Sequence, residues 1–325
     1  MSVVGSVGRP LVVIAEPKGF STAAIEALRT WADVELLEVP VKEIRELLAR
    51  CDVVWLRLGY RVTAKDLAAP IRCRVIATAV TGIDHIDDEA CSCAGIQVVS
   101  LRGETEFLET IRATAELTLA ITLALIRRVP QAMNAVLRGQ WNRDAFQGTE
   151  LFGKTVGIVG LGRLGSIVAT YFKVFGMCVV GFDPFVEFPY TLARRCESLD
   201  ELMAGSDVVS IHVSYSPATR HLINASSLAR AKRGAIIVNT SRGGIIDETA
   251  LLASLKSGRI AGAALDVLNG EPDFAPDHPL KQYACDHDNL VITPHIGGNT
   301  RESFEKTELF LADKIRRRWY ELETG

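Results

Sequence analysis

Three polar residues stand in glycine-rich or apolar settings late in the chain. Arg242 lies in Asn239-Thr240-Ser241-Arg242-Gly243-Gly244, Glu271 follows Ala264-Leu265-Asp266-Val267-Leu268-Asn269-Gly270, and His295 lies in Thr293-Pro294-His295-Ile296-Gly297-Gly298. Each follows an apolar run that reads as a strand, and open α/β sheets bind ligands beyond the carboxyl ends of their strands. An arginine, a glutamate and a histidine together suit hydride transfer on a 2-hydroxy acid. Arg242 can hold a carboxylate through paired charge-assisted hydrogen bonds and polarise the carbonyl. His295, with a free pKa of about 6.5, can take or give the hydroxyl proton. Glu271 behind the imidazole would orient it and favour its protonated form. Alone, each has a plainer reading as a surface charge, a turn residue or a loop histidine. Their joint placement makes Arg242, Glu271 and His295 the expected catalytic set.

The cofactor for such chemistry has its own signature. Val156-Gly157-Ile158-Val159 leads into Gly160-Leu161-Gly162-Arg163-Leu164-Gly165 and then a helical stretch to Phe175. Gly160 permits the tight turn, Gly162 lets the backbone approach a pyrophosphate, and Gly165 lets helix pack on strand. The helix N-terminus offers free N–H groups and a positive dipole end, to which Arg163 adds a charge. Asp183 ends the next strand, 18 residues beyond the last glycine. A carboxylate there accepts from the adenosine ribose hydroxyls and repels a 2′-phosphate, and Pro184-Phe185-Val186 offer no cation to rescue one. The expected cofactor is NAD rather than NADP.

Two alternating series of elements position these groups. In the first, Leu11–Ala15, Val34–Val39, Asp52–Leu56, Arg74–Ala79 and Ile96–Ser100 read as buried parallel strands between helices, among them Ser21–Trp31. Glu104 to Arg128 reads as one long helix ending near Pro130, and Arg138 to Lys154 as an extended segment. The second series, Thr155–Val159, Met177–Phe182, Asp207–Val213, Ala235–Asn239, Ala261–Val267 and Leu290–Thr293, gives the six strands of a dinucleotide-binding sheet. A last helix, about Thr300 to Tyr320 and capped by Asn299 or Thr300, has no domain of its own and is expected to return to the first. The expected fold is therefore α/β, with two Rossmann-like doubly wound parallel-sheet domains. The first is discontinuous and flavodoxin-like, at 1–103 and 298–325, and binds substrate. The second, at 104–297, binds NAD.

Composition narrows the partners. The 325 residues suffice for about two domains, and 48% hydrophobic with 23% charged residues excludes general disorder. A net charge of -3 gives no basic excess for nucleic acid. The longest apolar run, Leu117 to Ile126, is too short for a membrane span of about 20 residues, and Met1 to Gly8 lacks the marks of a signal peptide. The seven cysteines have no ligand spacing and read as reduced thiols in a cytoplasmic chain. His278, His287 and the Cys91/Cys93 pair form no ligand set, so no metal is expected. The run Lys314, Arg316, Arg317, Arg318 reads as a solvated helix face.

The Gly160–Gly165 loop with Asp183, the motif around Arg242, Ala264-Leu265-Asp266-Val267 with Glu271-Pro272, and Thr293-Pro294-His295-Ile296-Gly297 together resemble the D-isomer-specific 2-hydroxyacid dehydrogenases, over nearly the whole chain. The separation of 29 residues from Arg242 to Glu271 agrees with that family. The resemblance implies an NAD-dependent oxidoreductase acting on CH–OH donors, with a small 2-hydroxy or 2-oxo acid as partner. It also implies a homodimer joined through the long-helix region. It adds Leu164, His212, Thr240, Asp266 and Gly297 to the cofactor contacts, with Asp266 meeting the nicotinamide amide.

Pro130-Gln131-Ala132, Gly139-Gln140-Trp141, Gly148-Thr149-Glu150-Leu151, Gly153-Lys154-Thr155, Thr81-Gly82-Ile83-Asp84 and Ala115-Glu116-Leu117-Thr118 are most similar to the phosphoglycerate dehydrogenase branch. There Thr81 and Gly82 would offer N–H groups to the substrate carboxylate, and Arg57 would lie near a substrate phosphate. The sequence departs from that branch at His85, Val80 and Thr78. Its loop from Leu101 to Ile111 is longer and carries Glu104, Glu106 and Glu109, which would oppose a phosphate. The chain ends 30 residues after His295, so the branch's regulatory domains are not expected in it. The alternatives are a glyoxylate or hydroxypyruvate reductase, with the same three groups and no phosphate site, and an NAD(H)-sensing protein of the corepressor type. Glu271 stands where formate dehydrogenase has an amide, which disfavours that relative.

Overall fold

The structure is a computed structural model and describes residues 8–38, 40–68, 70–271 and 275–324. Val39, at the expected end of the second strand, and Pro272, of the Glu271-Pro272 motif, lie outside the described residues. The chain forms two compact units, Met1–Leu108 with Thr300–Gly325, and Glu109–Asn299.

The first unit is built on five parallel strands: β1 (Leu11–Ile14), β2 (Asp33–Leu36), β3 (Val53–Trp55), β4 (Val75–Thr78) and β5 (Gln97–Ser100), in the order β2-β1-β3-β4-β5. This is the doubly wound order of flavodoxin-like sheets. Every residue of β3 and β4 is buried, because helices cover both faces of a parallel sheet. The helix Thr22–Arg29 starts where Ser21 Oγ accepts from the Ala24 N–H, which replaces one missing intrahelical partner. The C-terminal helix Arg301–Thr324 packs on it and buries Leu311, Ala312, Ile315 and Trp319. Thr300 caps that helix, accepting from the Ser303 N–H at 3.1 Å.

The second unit holds seven parallel strands: β6 (Thr155–Val159), β7 (Cys178–Phe182), β8 (Arg194–Arg195), β9 (Val208–Ile211), β10 (Ile236–Asn239), β11 (Gly262–Leu265) and β12 (Leu290–Ile292). Their order is β12-β11-β10-β9-β6-β7-β8, so the direction of winding reverses beside β6 and opens a crevice at its carboxyl end. The sequence predicts six of these strands. The seventh, β8, is a pair of exposed arginines with no apolar run to mark it.

The long helix expected from Glu104 to Arg128 is instead two helices, Thr105–Leu108 and Ala113–Ile126, and a further helix, Val129–Leu137, follows them. Arg128 takes a left-handed φ of 53° and turns the chain. Pro130 then falls in the first turn of a new helix, where its missing N–H costs nothing, rather than ending the old one. The middle helix is apolar almost all round because it lies against the sheet and against the helix Arg163–Val174. Among the described residues no helix is long and apolar enough to cross a membrane, all seven cysteines are free thiols, and no cluster of three His, Cys, Asp or Glu side chains could hold a metal.

Candidate active site

The carboxyl edge of the seven-stranded sheet gathers most of the residues singled out by the sequence. Beyond β6, Gly160 has a φ of 90°, and a Cβ there would lie 2.7 Å from the His212 carbonyl oxygen. At Gly165 a Cβ would come within 1.9 Å of the Gly160 carbonyl oxygen, so only glycine lets helix and loop meet. Gly162 differs from both: its backbone is ordinary, and a Cβ would meet nothing within 4 Å. It is the N-cap of the helix Arg163–Val174 and no side chain caps that end, so the first-turn N–H groups lie beside open space. Asp183, just past β7, accepts from the Leu161 N–H at 2.8 Å and from the Phe185 N–H at 2.9 Å, tying the loop to the second strand. The open cradle, the uncapped helix and this carboxylate fit a dinucleotide whose adenosine ribose carries no phosphate.

Three flanking groups complete this edge. Arg163 donates to the Ile111 carbonyl at 3.4 Å, and burial, with Arg112 nearby, lowers its pKa. It remains a cation, since guanidinium does not deprotonate in proteins. Leu164 is partly buried beside the core under the sheet. The His212 ring shares a 2.7 Å hydrogen bond with Ser210 Oγ, and burial drives its pKa down to about 3, so it is neutral at physiological pH.

The next three loops leave adjacent strands β10, β11 and β12. After β10, the buried Asn239 folds the chain back on itself. Its Nδ2 donates to the Arg242 carbonyl and its Oδ1 accepts from the Ser241 N–H, at 2.9 and 3.0 Å. The Arg242 guanidinium donates to the Ser241 carbonyl at 2.9 Å. A Cβ on Gly243 would lie 2.0 Å from the Leu268 carbonyl carbon, so the Arg242 loop sits directly on the loop that leads to Glu271. Thr240, in the same turn, shares a 2.9 Å hydrogen bond with Thr118 of the apolar helix.

Asp266, 1% exposed, is the tie for the histidine loop. Its Oδ1 accepts from Thr293 Oγ1 and the Ile296 N–H, and its Oδ2 accepts from the Gly297 N–H, all within 2.8 Å. Burial raises its pKa, and these donors pull it back. The His295 N–H donates to the Asp266 carbonyl at 2.8 Å, and His295 adopts a left-handed φ of 52°. A non-glycine residue held in that region is kept there by its surroundings and often marks function. His295 Nδ1 meets Glu271 Oε1 at 2.9 Å. This arrangement leaves Nε2 as the ring atom available to a substrate.

The residues expected from the first unit are built into that unit. Arg57 donates to the buried Glu308 and to the Lys18 carbonyl, and lies over the rings of Phe20 and Phe304. Its guanidinium serves the packing of the C-terminal helix. Thr81, exposed, and Gly82, half-buried, occupy the loop after β4. Glu104, expected to oppose a phosphate, is turned to Lys314 within this unit.

Sequence reasoning missed several supports of the site, namely Asn239, Thr118, Thr293, Glu248 and His278. Asn239 and Thr293 begin the motifs already quoted and could have been read as turn formers. Thr118 sits mid-helix with no such signal. Glu248 and His278 are distant in sequence and meet at 3.2 Å only through tertiary folding.

The chain matches the family model described as D-isomer specific 2-hydroxyacid dehydrogenase, NAD binding domain, over residues 119–297. It is 38% identical over 298 residues to the D-3-phosphoglycerate dehydrogenase of Methanocaldococcus jannaschii, covering 90% of this chain and 55% of that one. The chain thus spans about half the length of the curated relatives it matches. Among solved structures it is similar to the TT0316 protein from Thermus thermophilus, with 34% identity and a TM-score of 0.80 over 93% of this chain and 94% of that one. It is also similar to the D-lactate dehydrogenase from Aquifex aeolicus complexed with NAD and lactic acid, with 28% identity and a TM-score of 0.80 over 94% of each.

Proposed function

The chain belongs to the D-isomer-specific 2-hydroxyacid dehydrogenases and carries that family's NAD-binding domain, and from this premise we propose that it moves a hydride between NAD and a D-2-hydroxy acid, with 3-phosphoglycerate the first acid to test. The observation that supports this most is the 2.9 Å contact of His295 Nδ1 with Glu271, on loops from neighbouring strands and next to the Arg242 loop. Arg242 would grip the acid's carboxylate and draw electron density from its carbonyl. His295 Nε2 would accept the hydroxyl proton in oxidation and return it in reduction, with Glu271 fixing the tautomer and orientation of the ring. The Gly160–Gly165 loop and the helix after it would hold the diphosphate, Asp183 the adenosine ribose, and Thr240, Asp266, His212 and Gly297 would line the remaining path. Nicotinamide bound there supplies or accepts the hydride at C2 of the acid.

Arg57 favours a second reading. Its engagement with Glu308 and the Lys18 carbonyl suits a small unphosphorylated acid such as glyoxylate or hydroxypyruvate better than a phosphorylated one. We also propose that the chain works in the cytoplasm as a homodimer. The stretch of helix and loop holding Met133, Val136, Leu137 and Trp141 supports the homodimer, since it leaves an apolar surface in which Leu137 is 83% and Trp141 89% exposed.

The test needs only purified protein. NADH absorbance is followed with 3-phosphoglycerate, hydroxypyruvate, glyoxylate and 2-oxoglutarate, and again with NADP or NADPH. Turnover of at least one acid with NAD or NADH, at well above the NADP rate, is expected. Tight NADH binding without turnover across the panel would replace the enzyme with a sensor. Equal rates with NADP would remove the role given to Asp183.

A further inference from the structure

Glu248 is a partly buried carboxylate to which the reaction above gives no role. It opens the helix Glu248–Lys256, whose end is fixed by Asp247 accepting from the Ala250 N–H at 3.1 Å. Its Oε1 accepts from the Asn269 N–H at 2.7 Å, and its Oε2 meets His278 Nε2 at 3.2 Å. Asn269 lies two residues before Glu271 and His278 seven residues after it. One carboxylate therefore holds a residue on each side of Glu271 in the sequence. Both side chains are largely sheltered, 18% exposed for Glu248 and 13% for His278. Burial raises the Glu248 pKa and the nearby Glu271 charge adds to that rise, while Asn269 and His278 oppose it. A sheltered ion that must be compensated on both oxygens costs more than an apolar residue would. What it contributes instead is a fixed geometry.

From this arrangement we infer that Glu248 and His278 are positioning residues for the Glu271–His295 pair. The inference rests on the proposed role of that pair. The rigid helix end carries Glu248, Glu248 sets the backbone at Asn269, and Asn269 sets the reach of Glu271 to the imidazole. A misplacement of about 1 Å in such a group can cost about 100-fold in rate.

The test compares Glu248→Ala, Glu248→Gln and His278→Gln, each alone and on a Glu271→Gln background. It uses whichever acid the panel turns over, with NADH affinity as the control for folding. Glu248→Ala is expected to lower kcat by about 10- to 100-fold, with KM and NADH affinity little changed. Glu248→Gln, which still accepts from Asn269, should recover most of the rate. On the Glu271→Gln background, Glu248→Ala should cost nothing further, because its effect runs through Glu271. Histidine side-chain NMR gives a readout without turnover: Glu248→Ala should move the His295 ring resonances toward those seen in Glu271→Gln. Unchanged kcat in Glu248→Ala beside an impaired Glu271→Gln would overturn this inference alone. So would equal losses on both backgrounds, or NADH affinity falling in step with kcat. Wild-type turnover in Glu271→Gln would remove the proposed function, and this inference with it.

Discussion

His295 is held by its backbone before its side chain does anything. Its N–H is tied to the Asp266 carbonyl, its φ lies in a region that few histidines adopt, and its Nδ1 rests on Glu271. Replacing it with alanine removes the proposed proton carrier but none of the groups around the glycine loop. His295→Ala is therefore expected to lose at least about 100-fold in turnover, with NADH affinity nearly intact in a fluorescence titration. Equal loss of both would make His295 structural. His212 supports a prediction of another kind. It is a base whose folded pKa, about 3, lies below its free value of 6.5. Protonation below 6.5 therefore favours the unfolded chain, and the penalty is absent above that range and grows as pH falls toward 3. Between about pH 7 and about pH 5 the protein should lose up to about 2 kcal/mol from this residue. Urea unfolding at the two pH values should show that loss reduced in His212→Asn, and an unchanged difference would mean the ring is solvated.

At the scale of elements, the strand–turn–helix from β6 through Val174 separates two uses of glycine. A Cβ at Gly165 collides with the Gly160 carbonyl, whereas one at Gly162 meets open space at an ordinary backbone angle. Gly165→Ala should therefore destabilise the fold by about 1–3 kcal/mol or more. Gly162→Ala should leave the melting temperature unchanged and weaken NADH binding about tenfold or more, since the added methyl stands where the diphosphate is proposed to approach. Thermal melts and NADH titration on both variants check the pair. A Gly162→Ala protein that binds NADH normally would put the diphosphate elsewhere. The expected strands and glycine turn were legible because their signals are local: apolar runs of β-branched residues and a fixed glycine spacing. The break at Glu109–Arg112 and the new helix after Arg128 were not. The left-handed turn at Arg128 depends on the chain's path around it, and Pro130 signals a helix start as readily as a helix end.

For the whole molecule, the question of assembly centres on exposed apolar side chains. Leu137 and Trp141 sit on a helix end and the loop after it, while the apolar helix Ala113–Ile126 before them is committed to the sheet. Light scattering on eluting protein is expected to give twice the 35.4 kDa chain mass. Leu137→Asp with Trp141→Arg should return the single-chain value without loss of melting temperature. A monomer for the unmodified protein would assign that surface to something other than a second copy.

Fold class, nucleotide cradle and the three residue types proposed to react were written in short stretches of sequence, because strand propensity, glycine spacing and residue chemistry act within a few positions. The tertiary structure alone decided which groups meet. Glu271 reaches His295 because β11 and β12 are neighbours, Asp266 gathers the histidine loop, and Glu248 finds Asn269 and His278 across the fold. It also gave Arg57 to Glu308, 251 residues away. Such pairings depend on where packing places each loop, and a pattern of residue types does not carry that distance.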